Sequence, residues 1–399
     1  MQDEPIRAMQ LIGNLDIGGA QEVVRTLAEY LVECGIPTVV VAMRDGPVRG
    51  EIERLGIPVE ILPGRRHSIL SFLGYLKDML RIRGALRALV KKHRINIIQT
   101  HLLRSLDFLV LSLRFPTGKP LVFWTVHNYN FALRADQLPG QLWLLKPKQL
   151  THSFLYRLAS RWVNGFIAVS EDVGAAIAET IGPKREKIAV ISNGVDVRRY
   201  RRDVDRQGIR QELGLPEDAR LASVVGTLKE QKGHRYLIEA AAPVLVRRPG
   251  LHILIIGDGV LGPALQAQAR EAGLEGQIHF LGNRSDVPEL LAASDYFILP
   301  SLWEGLPMAL IEAMASGLPI IATDVSGARQ VMDSGETGIL VPPGNADELR
   351  NAIVQMLANP LKAQAMGAAA RRHVEAAYSA QKQVSEHMAL YKRELRGLG

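Results

Sequence analysis

The chain reads as an α/β protein of two doubly wound, Rossmann-like domains in tandem. Three observations carry that reading. Its 399 residues exceed what one core accommodates and suit two domains, each of about 200 residues. Short, near-continuous apolar runs alternate with stretches of helical periodicity, the pattern of parallel sheets covered on both faces. The alternation then starts afresh beyond residue 215, after a turn-rich and strongly charged segment.

In the first series, apolar runs at 6–12, 38–43, 59–62, 95–99, 121–125, 166–169 and 188–191 predict strands. Helical patterns at 21–32, 72–92 and 172–180 lie between them. The second series predicts strands at 221–225, 252–256, 278–280, 296–299, 320–322 and 338–341. Its helices fall at 235–247, 263–272, 287–293, 309–316 and 347–357. The junction lies in 193–215, which opens with the turn signal Asn193-Gly194-Val195-Asp196 and continues through Arg198-Arg199-Tyr200-Arg201-Arg202-Asp203. Domains at 1–195 and 196–379 follow, with a last helical pattern at 380–398.

Hydrophobic residues make up 47% and charged residues 22%, with no low-complexity tract, as in a globular chain. The single cysteine, Cys34, leaves no internal disulfide framework and no cysteine-rich zinc site. The polar, acidic start Met1-Gln2-Asp3-Glu4-Pro5 lacks the form of a signal peptide. No run approaches the roughly 18 apolar residues of a membrane span. A cytoplasmic address is expected. Net charge is +7 but uneven: residues 1–200 carry 27 Lys+Arg against 18 Asp+Glu, and the remainder 21 against 23. The densest run, 65–94, holds nine basic residues and one acid, Asp78, with apolar residues at helical spacing. Such a helix either lies on an anionic membrane surface, here the inner face of the membrane, or presents a solvated face on an ordinary packed helix. Nucleic acid is not an expected partner, because the run lacks interleaved exposed aromatics and fits no nucleic-acid-binding module.

Residues 300–319 are the most informative stretch. An apolar strand pattern leads into Pro300-Ser301-Leu302-Trp303-Glu304-Gly305-Leu306-Pro307, then a small-residue helix that ends at Gly317 and Pro319. Glu304 and Glu312 are eight positions apart, about 80° past two full helical turns, so one ligand can meet both carboxylates. The Gly305-Leu306-Pro307 turn offers backbone N–H groups at a helix start, where an anion is favoured. Taken alone, the two residues read equally as a carboxylate complementing the helix dipole and a solvated helix residue.

A glutamate, seven intervening residues and a second glutamate in the context Ser-x-x-Glu-Gly-Leu-Pro resemble the signature of the retaining family 4 glycosyltransferases. The Asn-Gly-Val-Asp at the junction is also common there. The resemblance implies the GT-B architecture, two Rossmann-like domains facing across a cleft, with 380–399 crossing back onto the first. It implies a nucleotide-diphosphate sugar as donor, no cofactor and no metal. Glu304 would lie beside the donor sugar, and Glu312 would hold the nucleotide ribose hydroxyls.

Other motifs fit the same scheme. Val225-Gly226-Thr227-Leu228-Lys229-Glu230-Gln231-Lys232-Gly233-His234 resembles the family loop in which an arginine and a lysine grip the diphosphate. Lys232 matches the lysine, whereas Thr227 stands where arginine is usual, so either Lys229 or backbone groups must compensate. Gly18-Gly19 before a helix resembles the first-domain loop that meets donor phosphate and sugar. His127, at a strand end, matches the histidine that contacts the sugar near the reacting centre. His101 and Arg104 follow another strand and are candidates for the acceptor side. Gly257-Asp258-Gly259-Val260-Leu261-Gly262 has the dinucleotide-fingerprint form, but no acidic residue ends the next strand to take an adenosine ribose. In the family a Gly-x-Gly turn lies here near the nucleotide, and Leu281-Gly282-Asn283-Arg284 resembles the segment along the base. Asp203-Val204-Asp205 has a manganese-site form but sits in the charged junction, and no histidine pair has metal spacing.

The chain is thus expected to be a retaining, metal-independent glycosyltransferase with catalytic Glu304, His127 and Lys232. Its donor set is Gly18, Gly19, Thr227, Lys232, Gly257, Gly259, Leu281, Arg284, Glu304, Gly305, Leu306, Pro307 and Glu312. A glycan or lipid-linked acceptor of surface polysaccharide or glycolipid synthesis is expected. The rival readings are a nucleotide-sugar 2-epimerase of the same fold and a non-catalytic sugar or lipid-carrier binding protein.

Overall fold

The computed structural model describes residues 5–63, 72–101, 105–114, 119–127, 153–200 and 204–397. The chain divides into two compact units, 1–193 with 380–399, and 194–379. Each is built on one parallel sheet interleaved with helices.

In the first unit, β1 (Ala8–Ile12), β2 (Thr38–Ala42), β3 (Val59–Ile61), β4 (Ile97–His101), β5 (Leu121–Val126), β6 (Gly165–Ala168) and β7 (Ile188–Val190) form the sheet. Their spatial order is β3-β2-β1-β4-β5-β6-β7. β1, β2, β4 and β5 are buried along their whole length, hence their near-continuous apolar sequence. Between the strands run α1 (Gly19–Glu33), α2 (Val48–Arg54), α3 (Phe72–His93), α4 (Ser105–Leu111), a helix over 153–159 (α5) and α6 (Glu171–Thr180). α6 starts where Ser170 Oγ accepts the Val173 N–H at 3.2 Å, with Glu171 and Asp172 complementing the helix dipole. α1 ends at Gly35, whose φ of +77° suits glycine, and Gly35 and Ile36 bond back to the carbonyls of Val32 and Leu31 at 2.9 Å.

The second unit orders its strands β8 (Arg220–Val225), β9 (Leu251–Ile256), β10 (Ile278–Gly282), β11 (Tyr296–Leu299), β12 (Ile320–Thr323) and β13 (Ile339–Val341) as β10-β9-β8-β11-β12-β13. Its helices are α7 (Arg206–Glu212), α8 (His234–Leu245), α9 (Gly262–Glu271), α10 (Val287–Ala293), α11 (Met308–Ala315), α12 (Ser326–Val331), α13 (Ala346–Ala358) and α14 (Pro360–Ala377). In both sheets the winding reverses beside the first strand, between β1 and β4 and between β8 and β11. Open sheets of this kind bind ligands off the carboxyl ends of the strands flanking the reversal.

The last helix, α15 (Ala380–Arg396), belongs to the first unit. Its Val384, Leu390 and Tyr391 share a core with Leu27 and Leu31 of α1 and with Ile97, Leu121 and Phe123 of the sheet. Each such side chain contributes about 1.5–3 kcal/mol by burial.

Several elements depart from the sequence pattern. β4 starts at Ile97 rather than residue 95, because Arg94 at φ +53° closes α3 and pairing with β1 begins at Ala8↔Ile97. The strand therefore ends on His101. α14 has no counterpart among the expected helices, although Pro360 starts it and Ala363, Met366, Gly367, Ala370 and Val374 form its buried stripe. A methyl at Gly367 would lie 2.3 Å from the Gly317 carbonyl oxygen, so α14 lies close against the end of α11. α7 forms inside the charged junction because Asp205 accepts the Gly208 N–H at 2.9 Å; the Asp203-Val204-Asp205 pattern thus supplies a helix cap. α2, α4, α5 and α12 are further short helices that the pattern does not predict.

On α3, Ile82 and Leu86 are buried while Lys77, Arg81, Arg87, Lys91 and Lys92 are exposed. Arg65 and Arg66 of the basic run lie outside the described residues. No helix among the described residues is long and apolar enough to cross a membrane.

Candidate active site

Two loops leave the carboxyl ends of β8 and β11, the strands flanking the reversal. Residues 226–233 carry Thr227, Lys229 and Lys232; residues 300–307 carry Glu304 and the Gly305-Leu306-Pro307 turn. The loops are locked together. Leu302 N–H donates to the Gln231 carbonyl at 2.7 Å, and Gln231 Nε2 to the Trp303 carbonyl at 3.0 Å. Gly233, at φ +63°, passes so near Pro300 that a methyl would fall 2.0 Å from its carbonyl oxygen. No larger residue fits there.

This locking sets the central contact. Lys232 Nζ lies 2.6 Å from Glu304 Oε1. A methyl at Gly226 would meet the Lys232 chain at 3.3 Å, so the lysine stem lies across that glycine. Glu304 is buried and also accepts from Ser301 Oγ at 2.8 Å and from Gln231 Nε2 at 3.4 Å. Three donors around one carboxylate satisfy it as an anion in the interior. Gly305, Leu306 and Pro307 are buried, with Gly327 pressed so close that a methyl placed there would lie 2.6 Å from the Gly305 carbonyl oxygen. α11 starts directly after Pro307 and carries buried Glu312; α8 starts directly after Gly233. Neither helix start has a side-chain cap, so both present the positive end of a helix dipole beside the Lys232–Glu304 pair.

The glycines of the 257–262 motif serve a contact between loops. Gly257 has φ +136°, and a methyl there would fall 2.3 Å from the Gly226 carbonyl oxygen; at Gly259 it would fall 2.5 Å from that of Leu228. Gly226, Leu228 and Leu261 donate in turn to the carbonyls of Ile256, Asp258 and Leu228 at 2.9, 3.0 and 3.0 Å. The two loops are thereby zipped, with Thr227 exposed at the tip. Leu281 packs at the margin of a small apolar cluster around Leu254, Ile256 and Leu290. Arg284 grips Asp286 at 2.7 and 2.6 Å and Glu212 at 2.8 Å. These carboxylates raise its pKa and match its charge locally.

In the first unit, β1 runs into the loop holding Gly18 and Gly19, both exposed, and Gly18 is the N-cap of α1. Gln21 Nε2 clasps the loop by donating to Asn14 Oδ1 at 2.6 Å. β4 ends with His101, and His127 follows β5. Their rings stack at 5.2 Å between centroids, with His101 Nδ1 3.0 Å from His127 Nε2. His101 is 5% exposed, and its Nε2 meets Gln10 Oε1 at 2.9 Å. Burial pushes His127 down to about 4 and His101 well below its ordinary value, with the neighbouring histidines adding to the effect. Both rings are therefore neutral at neutral pH. Arg104 lies outside the described residues.

The structure thus brings together Lys232, Glu304, the Gly305–Pro307 turn and α11 with Glu312, and separately pairs His101 with His127. Leu281 and Arg284 are engaged in contacts of their own. Ser301, Gln231 and Gly226 are visible in the sequence only as members of motifs, and their contacts are not, since these depend on loops that meet only in the folded sheet. The same holds for His234, 2% exposed: both its ring nitrogens lack a hydrogen-bond partner among the described residues. Among those residues no three His, Cys, Asp or Glu side chains cluster as a metal site requires.

Family models match nearly the whole chain: Glycosyltransferase Family 4 over residues 17–199 and Glycosyl transferases group 1 over residues 205–373. Over 290 residues the sequence is 30% identical to the UDP-Gal:alpha-D-GlcNAc-diphosphoundecaprenol alpha-1,3-galactosyltransferase of Escherichia coli, spanning 71% of this chain and 72% of that protein. It is 24% identical over 408 residues to a D-inositol 3-phosphate glycosyltransferase of Corynebacterium urealyticum, spanning 96% and 92%. In fold it is similar to Anabaena HepE, crystallised with UDP and glucose, at a TM-score of 0.79 and 22% identity over 96% of this chain and 99% of that one.

Proposed function

As the chain belongs to glycosyltransferase family 4 and has the GT-B fold, we propose a retaining, metal-independent enzyme that moves a sugar from a nucleotide-diphosphate sugar to an acceptor hydroxyl. The observation that carries this reading is the Lys232–Glu304 pair at the β8 and β11 ends, between two uncapped helix starts. The departing diphosphate gains negative charge. Lys232 and the N-terminal amides of α8 and α11 are preorganised to take it, and such fixed electrostatic stabilisation usually dominates catalysis of this kind. Glu304, oriented by Ser301 and Gln231, is the proposed partner of the donor sugar, and Glu312 of the ribose. Since Thr227 carries no charge and Arg284 is matched by carboxylates, exposed Lys229 is the proposed second cation. Gly18, Gly19 and His127 are the proposed donor contacts of the first unit.

A glycan or lipid-linked acceptor in surface polysaccharide or glycolipid synthesis is supported by the Escherichia coli relative, a galactosyltransferase for a diphosphoundecaprenol-linked sugar. A cytoplasmic setting belongs to the same reading, and contact at the inner membrane face is supported by surface chemistry. Phe154, Leu155, Leu158 and Trp162 are 66%, 45%, 40% and 45% exposed. Arg157 and Arg161 are exposed among them, and α3 adds a basic face. Aromatic and basic side chains together suit an anionic bilayer surface. The protein is expected to co-sediment with anionic vesicles, and Phe154→Ser with Trp162→Ser to lose most of that binding. Equal sedimentation of the variant would remove this part of the reading.

The direct test supplies a panel of nucleotide sugars with a lipid-linked acceptor. Expected is a product with the donor's anomeric configuration, formed at the same rate in chelator. An inverted product would refute retention, and loss of rate in chelator would refute metal independence. An epimer formed from donor alone would favour the epimerase.

A further inference from the structure

We infer that His101 is a positioning residue that holds His127 in one tautomer, Nε2 protonated and Nδ1 bare, through a hydrogen-bond chain anchored in the last helix. The importance of that tautomer rests on the reading of His127 as a donor-sugar contact; the tautomer itself does not.

The chain has a fixed direction because its far end is a backbone carbonyl, which only accepts. On α15, His387 Nδ1 lies 2.8 Å from the Gln383 carbonyl oxygen, so it carries the proton and Nε2 is bare. Gln99 Nε2 donates to that nitrogen at 3.3 Å and to Thr125 Oγ1 at 2.6 Å. The Gln99 amide is thereby oriented with Oε1 towards Tyr391, whose hydroxyl donates to it. Gln10 sits opposite Gln99 in the β1–β4 register. Gln10 Nε2 has no hydrogen-bond partner among the described residues, and the Tyr391 phenol, its proton already given to Gln99, offers it only an acceptor. Gln10 Oε1 then faces His101 at 2.9 Å and accepts Nε2–H. A neutral His101 has only a bare Nδ1 left for His127, so His127 Nε2, 3.0 Å away, donates. Gln10, Gln99, His387 and Tyr391 are all buried, so bulk water does not compete for these bonds.

The consequence is chemical. A bare Nδ1 on His127 accepts a hydrogen bond from a sugar hydroxyl and cannot donate one to a ring or glycosidic oxygen. His101 acts through its neighbour, and α15 contributes to the site without touching substrate.

Long-range ¹⁵N–¹H correlation spectra of histidine-labelled, ligand-free protein test this at neutral pH. His127 is expected to show an unprotonated Nδ1 and a protonated Nε2. The reverse pattern, or averaged shifts, would overturn the proposal. His101→Phe keeps the ring shape and should move both nitrogens of His127 to averaged shifts; Tyr391→Phe, which removes one hydroxyl, should do so in part. Unchanged shifts in a folded His101→Phe protein would also overturn it. Because no donor is present, absent transfer activity would count against the proposed function and leave this result standing.

Discussion

Replacing Glu304 by glutamine is expected to lower sugar transfer about 10²–10³-fold, the usual loss for one preorganised polar group, while tightening the binding of a nucleoside diphosphate. The opposite signs follow from one contact. Without ligand, Lys232 Nζ is engaged by Glu304 at 2.6 Å, so an incoming diphosphate must compete with that carboxylate for the cation. Glutamine keeps the shape and the Ser301 contact but removes the competing charge. Releasing a partly buried ion pair of this kind is worth about 1 kcal/mol, or roughly fivefold in affinity. Lys232→Ala should lose both transfer and diphosphate binding, leaving Glu304 with Ser301 and Gln231. Calorimetric titration with uridine or guanosine diphosphate separates the two variants. Undiminished transfer by a folded Glu304→Gln protein, or weaker diphosphate binding by it, would contradict the assigned roles.

The second large effect is a steep loss of stability in mild acid. His234 and His387, 2% and 1% exposed, are pushed by burial to about 4, and His101 is driven well down by burial and its histidine neighbours. Each ring binds its proton more weakly folded than unfolded, so the unfolded chain takes up protons first as pH falls below the ordinary histidine value near 6.5. Their stabilisation is complete above that pH and is lost as pH falls towards 4. Each of the two rings at about 4 accounts for on the order of 3 kcal/mol; His127, partly open to solvent, is discounted. Denaturant midpoints measured from pH 7.5 to 4.5 should drop sharply below about 6.5. His234→Leu should flatten that slope by about one proton, at little cost at neutral pH, because the His234 ring has no hydrogen-bond partner to lose among the described residues. A midpoint constant across this range would show that these histidines are not held neutral.

Much of the fold is legible in the sequence because parallel strands buried on both faces are written as continuous apolar runs. β8, β9 and β11 are the clearest cases. Legibility fails where burial is shared among small residues: the stripe of α14 is largely alanine and glycine, too weak a signal beside its arginines. α7 is hidden by the charge around it, and its cap has the form of a chance metal pattern. Within the site, Lys232 and Glu304 are legible by resemblance, but their direct contact is not. It depends on Gly226, Gly233 and Gln231 drawing together loops some 70 residues apart in sequence. Gly257 and Gly259 are visible as a turn, whereas their packing against Gly226 and Leu228 belongs to the tertiary fold. His101 reads as a loop residue only while β4 is drawn two residues early. Its partners Gln10, Gln99 and His387 come from three distant segments that no local pattern joins.

All of these roles depend on the second unit holding a diphosphate at the Lys232 loop and the start of α11. A crystal structure with uridine or guanosine diphosphate bound decides the matter. Expected is a terminal phosphate within hydrogen-bond distance of Lys232 Nζ and of amides in 305–309, with the Lys232–Glu304 contact lengthened or broken. A nucleotide bound elsewhere, with that contact intact, would refute the assignment.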